Sequence, residues 1–172
     1  MELNEVYFYT STILNWQKLL VLDKYKDIII SSLKYLVEKE KIEVYAFVIM
    51  PNHIHLIWKM LAMNGKEMPH ASFMKYTAHQ FLNDLTIHHP KVLPYFESSS
   101  GEREYQFWER NSLPIHLYTD SVLQQKLQYI HFNPVAKKWN LAEDFVSYKY
   151  SSAKFYEEGI DDFGFLKHYC DI

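Results

Sequence analysis

The chain has 172 residues, 48% hydrophobic and 17% aromatic, with 18 basic against 21 acidic side chains and a net charge of −3. That length suits a single core, and the charge argues against a protein held to duplex nucleic acid mainly by neutralising phosphates, though single strands can be held by aromatic stacking beside a local basic groove. The one cysteine, Cys170, permits no internal disulfide and no cysteine-rich metal site, and there is neither an apolar run of about 18 residues nor a secretory leader, so the expectation is a cytoplasmic protein outside any membrane.

In chain order, residues 6–20 alternate aromatic and polar side chains and carry Thr12 and Ile13, which predicts a first strand. Over 24–41, Ile28, Ile29, Leu33, Leu36 and Val37 recur every three or four residues, predicting an amphipathic helix with Asp23 as its N-cap. Residues 43–50 and 53–60 are β-branched and aromatic and flank the turn dipeptide Pro51-Asn52, so they read as a hairpin. After the Asn64-Gly65 turn, residues 72–86 predict a second helix with Lys75 on its exposed side. Pro90, Pro94 and the Ser98-Ser99-Ser100-Gly101 run make 88–102 a loop, and 105–110 a short strand. A third helix starts near Ser121, with Asp120 as N-cap and Leu123, Leu127 and Ile130 as its buried stripe, and Pro134 should end it. The order of elements predicts an α+β domain over 1–157, a ferredoxin-like or RRM-like antiparallel sheet with helices packed on one face, followed by a C-terminal tail over 158–172.

Chemistry concentrates at two places. In a strand, His53 and His55 point to one face and Ile54 to the other, so two imidazoles converge as they would around a catalytic metal with open positions; hydrogen-bonded histidines produce the same pattern. On the third helix, Tyr129 and Asn133 share a face beside the apolar stripe and can reach over the sheet, although either residue taken alone reads rather as a core-edge tyrosine or a helix-terminal asparagine. Lys75, Arg110, Lys137 and Lys138, with Trp108 and Trp139 as stacking surfaces, are the candidate nucleic-acid contacts, and each also suits a solvated face or a core. His88, His89 and His131 lack convergent geometry and receive no role.

Two segments taken together, YAFVIMPNHIHLIW (45–58) and YIHFNPV (129–135), resemble the signature of REP-associated tyrosine transposases and the wider group of single-tyrosine HUH transposases. Trp16, FWER (107–110) and YKYSSA (148–153) are similar as well, so the resemblance runs over roughly residues 6–157. It implies the HUH transposase fold, a His-hydrophobic-His metal site at His53 and His55, Tyr129 as nucleophile, and Asn133 where other members place glutamine. It further implies Mg or Mn, single-stranded or hairpin DNA as substrate, attachment of a 5′ phosphate to Tyr129, and a homodimer. A domesticated relative that binds a DNA or RNA hairpin without cutting is the alternative, and a water-using phosphodiesterase is a second. Where many relatives carry an Arg and a helix-ending Gly after this motif, the chain has Ala136, Lys137, Lys138 and Trp139.

Overall fold

In the computed structural model, which describes residues 1–98 and 103–172, four antiparallel strands form one sheet in the order β2-β3-β1-β4. The strands are β1 (Val6–Thr12), β2 (Ile42–Ile49), β3 (His53–Met60) and β4 (Leu113–His116), and the helices are α1 (Asp23–Glu38), α2 (Pro69–His88), α3 (Asp120–Phe132) and the short α4 (Ala153–Glu158). The sequence β1-α1-β2-β3-α2-β4 with this strand order is ferredoxin-like, as expected. β2 and β3 form the predicted hairpin, and β1 inserts beside β3 with Thr10 opposite His55 and Thr12 opposite His53.

The sheet is covered on both faces. Tyr7, Tyr9, Leu56 and Trp58 point into the main core with Ile29 and Leu33 of α1 and Phe73 and Phe81 of α2. Val6, Phe8, Val48 and Ile57 point the other way and pack under Leu123, Leu127 and Ile130 of α3. The expectation of helices on one face therefore holds for α1 and α2, whereas α3 lies on the opposite face. Two-sided burial explains why β2 reads as nearly continuous apolar sequence, its side chains divided between the two cores. Each large side chain sealed in this way contributes about 1.5–3 kcal/mol of transfer free energy.

Several boundaries differ from the sequence reading. β1 stops at Thr12 because Asn15 and Trp16 adopt left-handed backbone conformations (φ 53° and 57°), which no strand accommodates. Asp23 is the first helical residue of α1 and Leu22 occupies the cap; on α3 the cap is Thr119, whose hydroxyl accepts from Val122 N at 3.4 Å, rather than Asp120. Residues 105–110 form no strand, only single bridges of Tyr105 to Glu97 and Trp108 to Ile13. The fourth strand is β4, four residues long and interrupted by Pro114, too short to show a period of two. Within the expected loop, Pro90–Phe96 winds as 3-10 helix and buries Leu93 and Phe96; residues 99–102 of the serine run lie outside the described residues. Pro134 ends the α-helical geometry as predicted, with one 3-10 turn, Asn133–Val135, following. The segment expected as a tail folds onto β2: Phe165 enters the core, and Lys167 N donates to Val44 O at 3.0 Å.

Candidate active site

β3 presents His53 and His55 on the face covered by α3, their ring centroids 4.8 Å apart. Both are buried, with 6% and 4% of their surface exposed. His53 Nδ1 lies 2.8 Å from Asn52 Oδ1, and an amide oxygen only accepts, so Nδ1 carries the proton and the lone pair of the neutral ring resides on Nε2. The assignment is consistent with the other end of the same amide, where Asn52 Nδ2 donates to Trp16 O at 3.2 Å. His55 Nδ1 pairs with Thr10 Oγ1 at 2.8 Å, while its Nε2 is buried without a hydrogen-bond partner among the described residues. Burial, and then the Lys138 charge, lowers His53 to about 4; burial, then His53 and Lys126, lowers His55 to about 3. Both rings are thereby held neutral, the protonation state that ligates metal.

α3 brings the second half of the site. Its Leu123/Leu127/Ile130 stripe anchors it to the sheet, leaving Tyr129 half exposed and placing its ring 5.1 Å from His55 and 6.0 Å from Phe8. One turn later, Asn133 lines the same groove, a cavity of about 730 Å³ that also contains His53, His55 and Tyr129. Lys126 extends along the helix with its ammonium 4.8 Å from the Phe8 ring centroid and 5.9 Å from that of Tyr129. At the far end, the Lys138 ammonium is 5.1 Å from the Trp139 ring and 5.9 Å from Trp16, and Trp139 lies 5.5 Å from His53. Among the described residues no carboxylate lines this groove, in a chain whose net charge is −3.

A search of solved structures places this architecture beside known proteins. The chain has the fold of a REP-associated tyrosine transposase. That structure, of the transposase bound to a REP hairpin, matches with a TM-score of 0.63 at 15% identity, covering 96% of this chain and 87% of the other. A candidate transposase from Deinococcus radiodurans matches with a TM-score of 0.44 at 18% identity over 73% of this chain and 87% of that one. No protein-family model and no curated relative matches the sequence.

Of the residues selected from sequence, the transposase fold brings His53, His55, Tyr129, Asn133, Lys138 and Trp139 into one groove. Lys137 is exposed beside Lys138 but does not line it. Lys75 and Arg110 line a different groove, between α2 and residues 103–112, where Glu104 and Glu109 also sit. Lys75 is paired with Glu67 at 2.9 Å, and Arg110 Nε donates to Gln106 Oε1 at 3.5 Å. Trp108 is core, donating from Nε1 to Thr77 Oγ1 at 3.0 Å. These three are separated from the histidines because α2 covers the opposite face of the sheet. His131 turns inward to Ser152 Oγ at 3.0 Å, and Ser152 accepts from Phe47 N at 3.0 Å, so YIHFNPV and YSSA meet in a buried structural network. His89 contacts Lys24 Nζ at 3.0 Å, and among the described residues no group of three His, Cys, Asp or Glu side chains could hold an ion.

Sequence reading missed Asn52, Thr10 and Lys126. Asn52 passed as a turn residue, and its partners are 36 residues upstream and one residue downstream. Thr10 is matched to His55 only by register across two strands. Lys126 was legible in principle, three residues before Tyr129 on the same helical face.

Proposed function

We propose that this protein cuts and rejoins single-stranded DNA through Tyr129, with His53, His55 and Asn133 holding a divalent metal. The observation that carries the reading is the orphaned, buried Nε2 of His55, on a ring set beside His53 that lines a groove containing a tyrosine and, among the described residues, no carboxylate. Buried polar atoms are rarely left unpaired, and a ring nitrogen held neutral with its other nitrogen hydrogen-bonded is the usual form of a metal-ligating histidine. The residues present fit a divalent ion: two imidazole nitrogens and an amide oxygen leave positions for phosphate oxygens, the imidazoles favour a transition metal such as Zn, Mn, Fe or Ni over Mg, and the family resemblance is what points to Mn or Mg. A bound ion would polarise a non-bridging phosphate oxygen and offset charge developing at phosphorus.

The chain's own residues account for the rest. Lys126 and Lys138 flank the groove and attract a phosphodiester, and no carboxylate among the described residues lines it to repel one. Thr10 and Asn52 fix the two imidazole orientations. Tyr129, positioned by the anchored stripe of α3, would attack phosphorus; its Oη–P bond forms as a P–O3′ bond breaks, and the departing strand leaves as a 3′ hydroxyl carrying the proton that the phenol gives up. The phosphotyrosine ester conserves the energy of the original bond, so rejoining by the same route needs no ATP. The Tyr129 ring lies 5.1 Å from His55 of the same chain, which supports a site built within one protomer.

The test is to incubate the protein with a single-stranded oligonucleotide and Mn, denature, and map any nucleotide adduct by peptide mass. An adduct on Tyr129 alone is expected. Hairpin binding with no adduct would indicate a non-cleaving binding protein, and cleavage that persists in Tyr129→Phe a water-using phosphodiesterase.

A further inference from the structure

We propose that Trp16 is a stacking platform for an unpaired nucleobase next to the phosphate at Tyr129, an inference that rests on the single-strand reading above. Tryptophan carries one of the largest apolar surfaces of any side chain and is ordinarily well buried, yet Trp16 is 61% exposed. It is also held at φ 57° directly after Asn15 at φ 53°, a conformation that bulky residues avoid and that persists only where the surroundings impose it. Here they do. Leu14 N donates to Phe107 O at 2.8 Å, Trp16 N to Ile13 O at 2.9 Å, Asn15 N to Glu109 Oε1 at 2.7 Å, and Asn52 Nδ2 to Trp16 O at 3.2 Å. One hydrogen bond within the turn and three from separate parts of the fold thus lock an unfavourable backbone whose result is a ring standing in solvent.

The ring stands beside the groove of the candidate site. Trp16, Lys138 and Trp139 line both that groove and an adjoining cavity of about 550 Å³, to which Lys18 adds a further positive charge; among the described residues neither space is lined by a carboxylate. The Lys138 ammonium lies within 5.9 Å of both indole rings, so one cation and two aromatic faces are gathered at one end of the groove. A cation with exposed aromatic faces is what a single strand requires, phosphate on the ammonium and base on the ring, and a duplex, whose bases are already stacked, cannot use the ring. Asn52 joins this end to the chemistry, since the same amide accepts from His53 and donates to Trp16.

The experiment measures binding of a fluorescent oligonucleotide, single-stranded or as a duplex of the same length, in EDTA so that no cleavage occurs. Trp16→Ala should weaken single-strand binding about 5- to 100-fold and duplex binding little, while Trp16→Phe keeps most of the affinity. Trp16→Gly, which relieves the left-handed backbone, should melt no lower than the parent and yet bind as weakly as Trp16→Ala. A Trp16→Ala variant that binds single strands as tightly as the parent, one that loses single-strand and duplex binding equally, or a parent that binds no single strand would each overturn the platform. The adduct assay separates the two readings: a Tyr129 adduct with binding indifferent to Trp16 sinks the platform alone, and Trp16-dependent binding without an adduct sinks cleavage alone.

Discussion

His53 Nδ1 donates to Asn52 Oδ1 across 2.8 Å, a contact between sequence neighbours that decides which nitrogen of the imidazole faces the groove. Asn52 is 4% exposed and its amide nitrogen is also engaged, so it has no freedom to rotate away. Asn52→Leu removes the acceptor and leaves His53 free to adopt the other tautomer. The expected outcome is a 10- to 100-fold loss of Mn affinity by calorimetry, on the order of that seen for partners that orient ligands elsewhere. A stability cost of about 1–3 kcal/mol should accompany it, from the Trp16 carbonyl and His53 nitrogen left unpaired. Unchanged Mn binding in a folded Asn52→Leu variant would reduce Asn52 to a turn residue.

The double substitution His53→Ala/His55→Ala tests the ligands themselves. Because both rings are buried and His55 stacks on Phe8 with centroids 5.3 Å apart, alanine leaves a cavity and should lower the melting temperature as well as abolish Mn-dependent nicking. His55→Gln fills most of that volume, and is expected to keep the fold while losing the metal. Wild-type nicking by either variant removes the histidines from the mechanism.

The alternation of β3 made the placement of the histidines legible in sequence, since strand geometry puts residues two apart on one face whatever covers it. The apolar stripe of α3 likewise fixed which side of that helix Tyr129 and Asn133 flank. What sequence could not convey was which face of the sheet α3 would take, because a single apolar stripe packs equally well on either. Lys75, Arg110 and Trp108 were grouped with the site for want of that information. Asn52 and Thr10 act through register and a reversal of chain direction, which leave no periodic trace, and the left-handed turn at Trp16 occurs without a glycine to announce it.

Acid should weaken the fold through His131. Burial lowers this ring from its ordinary 6.5 to about 4, so the unfolded chain takes up a proton that the folded chain refuses. The stabilisation is therefore complete above about pH 6.5, declines as pH falls towards 4, and levels off below it, with a slope of at most about 1.4 kcal/mol per pH unit. Metal-free protein should lose melting temperature between pH 7 and pH 4.5. His131→Gln should melt lower than the parent at pH 7, having disturbed the contact to Ser152, but should lose less over that interval. Parallel curves for the two proteins would show that His131 is not responsible.

Lys126 offers a purely electrostatic test. Its ammonium overlies Phe8 and Tyr129 without any carboxylate partner among the described residues, so its charge is free for phosphate. Lys126→Gln should weaken single-strand binding in EDTA regardless of base sequence and reduce the slope of log affinity against log salt by about 0.7, the value for one contact to a single strand. An unaltered salt slope would place Lys126 outside the DNA path.

The remaining question is whether Asn133 is a ligand or the end of a helix. Its backbone is right-handed (φ −56°, ψ −44°), so it is not the left-handed cap for which asparagine is favoured, and that reason for its presence before Pro134 does not hold. It is 7% exposed and turned towards the histidines' groove, where a leucine would satisfy packing as well as an amide does. Asn133→Leu should accordingly fold with a melting temperature near that of the parent but bind Mn about 10- to 100-fold more weakly. Asn133→Gln, which carries the same amide oxygen on a longer arm, should recover part of both binding and nicking. Rescue by glutamine is the decisive arm, because a merely structural asparagine gives no reason for the longer amide to outperform leucine. If Asn133→Leu binds Mn as the parent does, Asn133 is a packing residue, and the ion is held by the two histidines with phosphate and water alone.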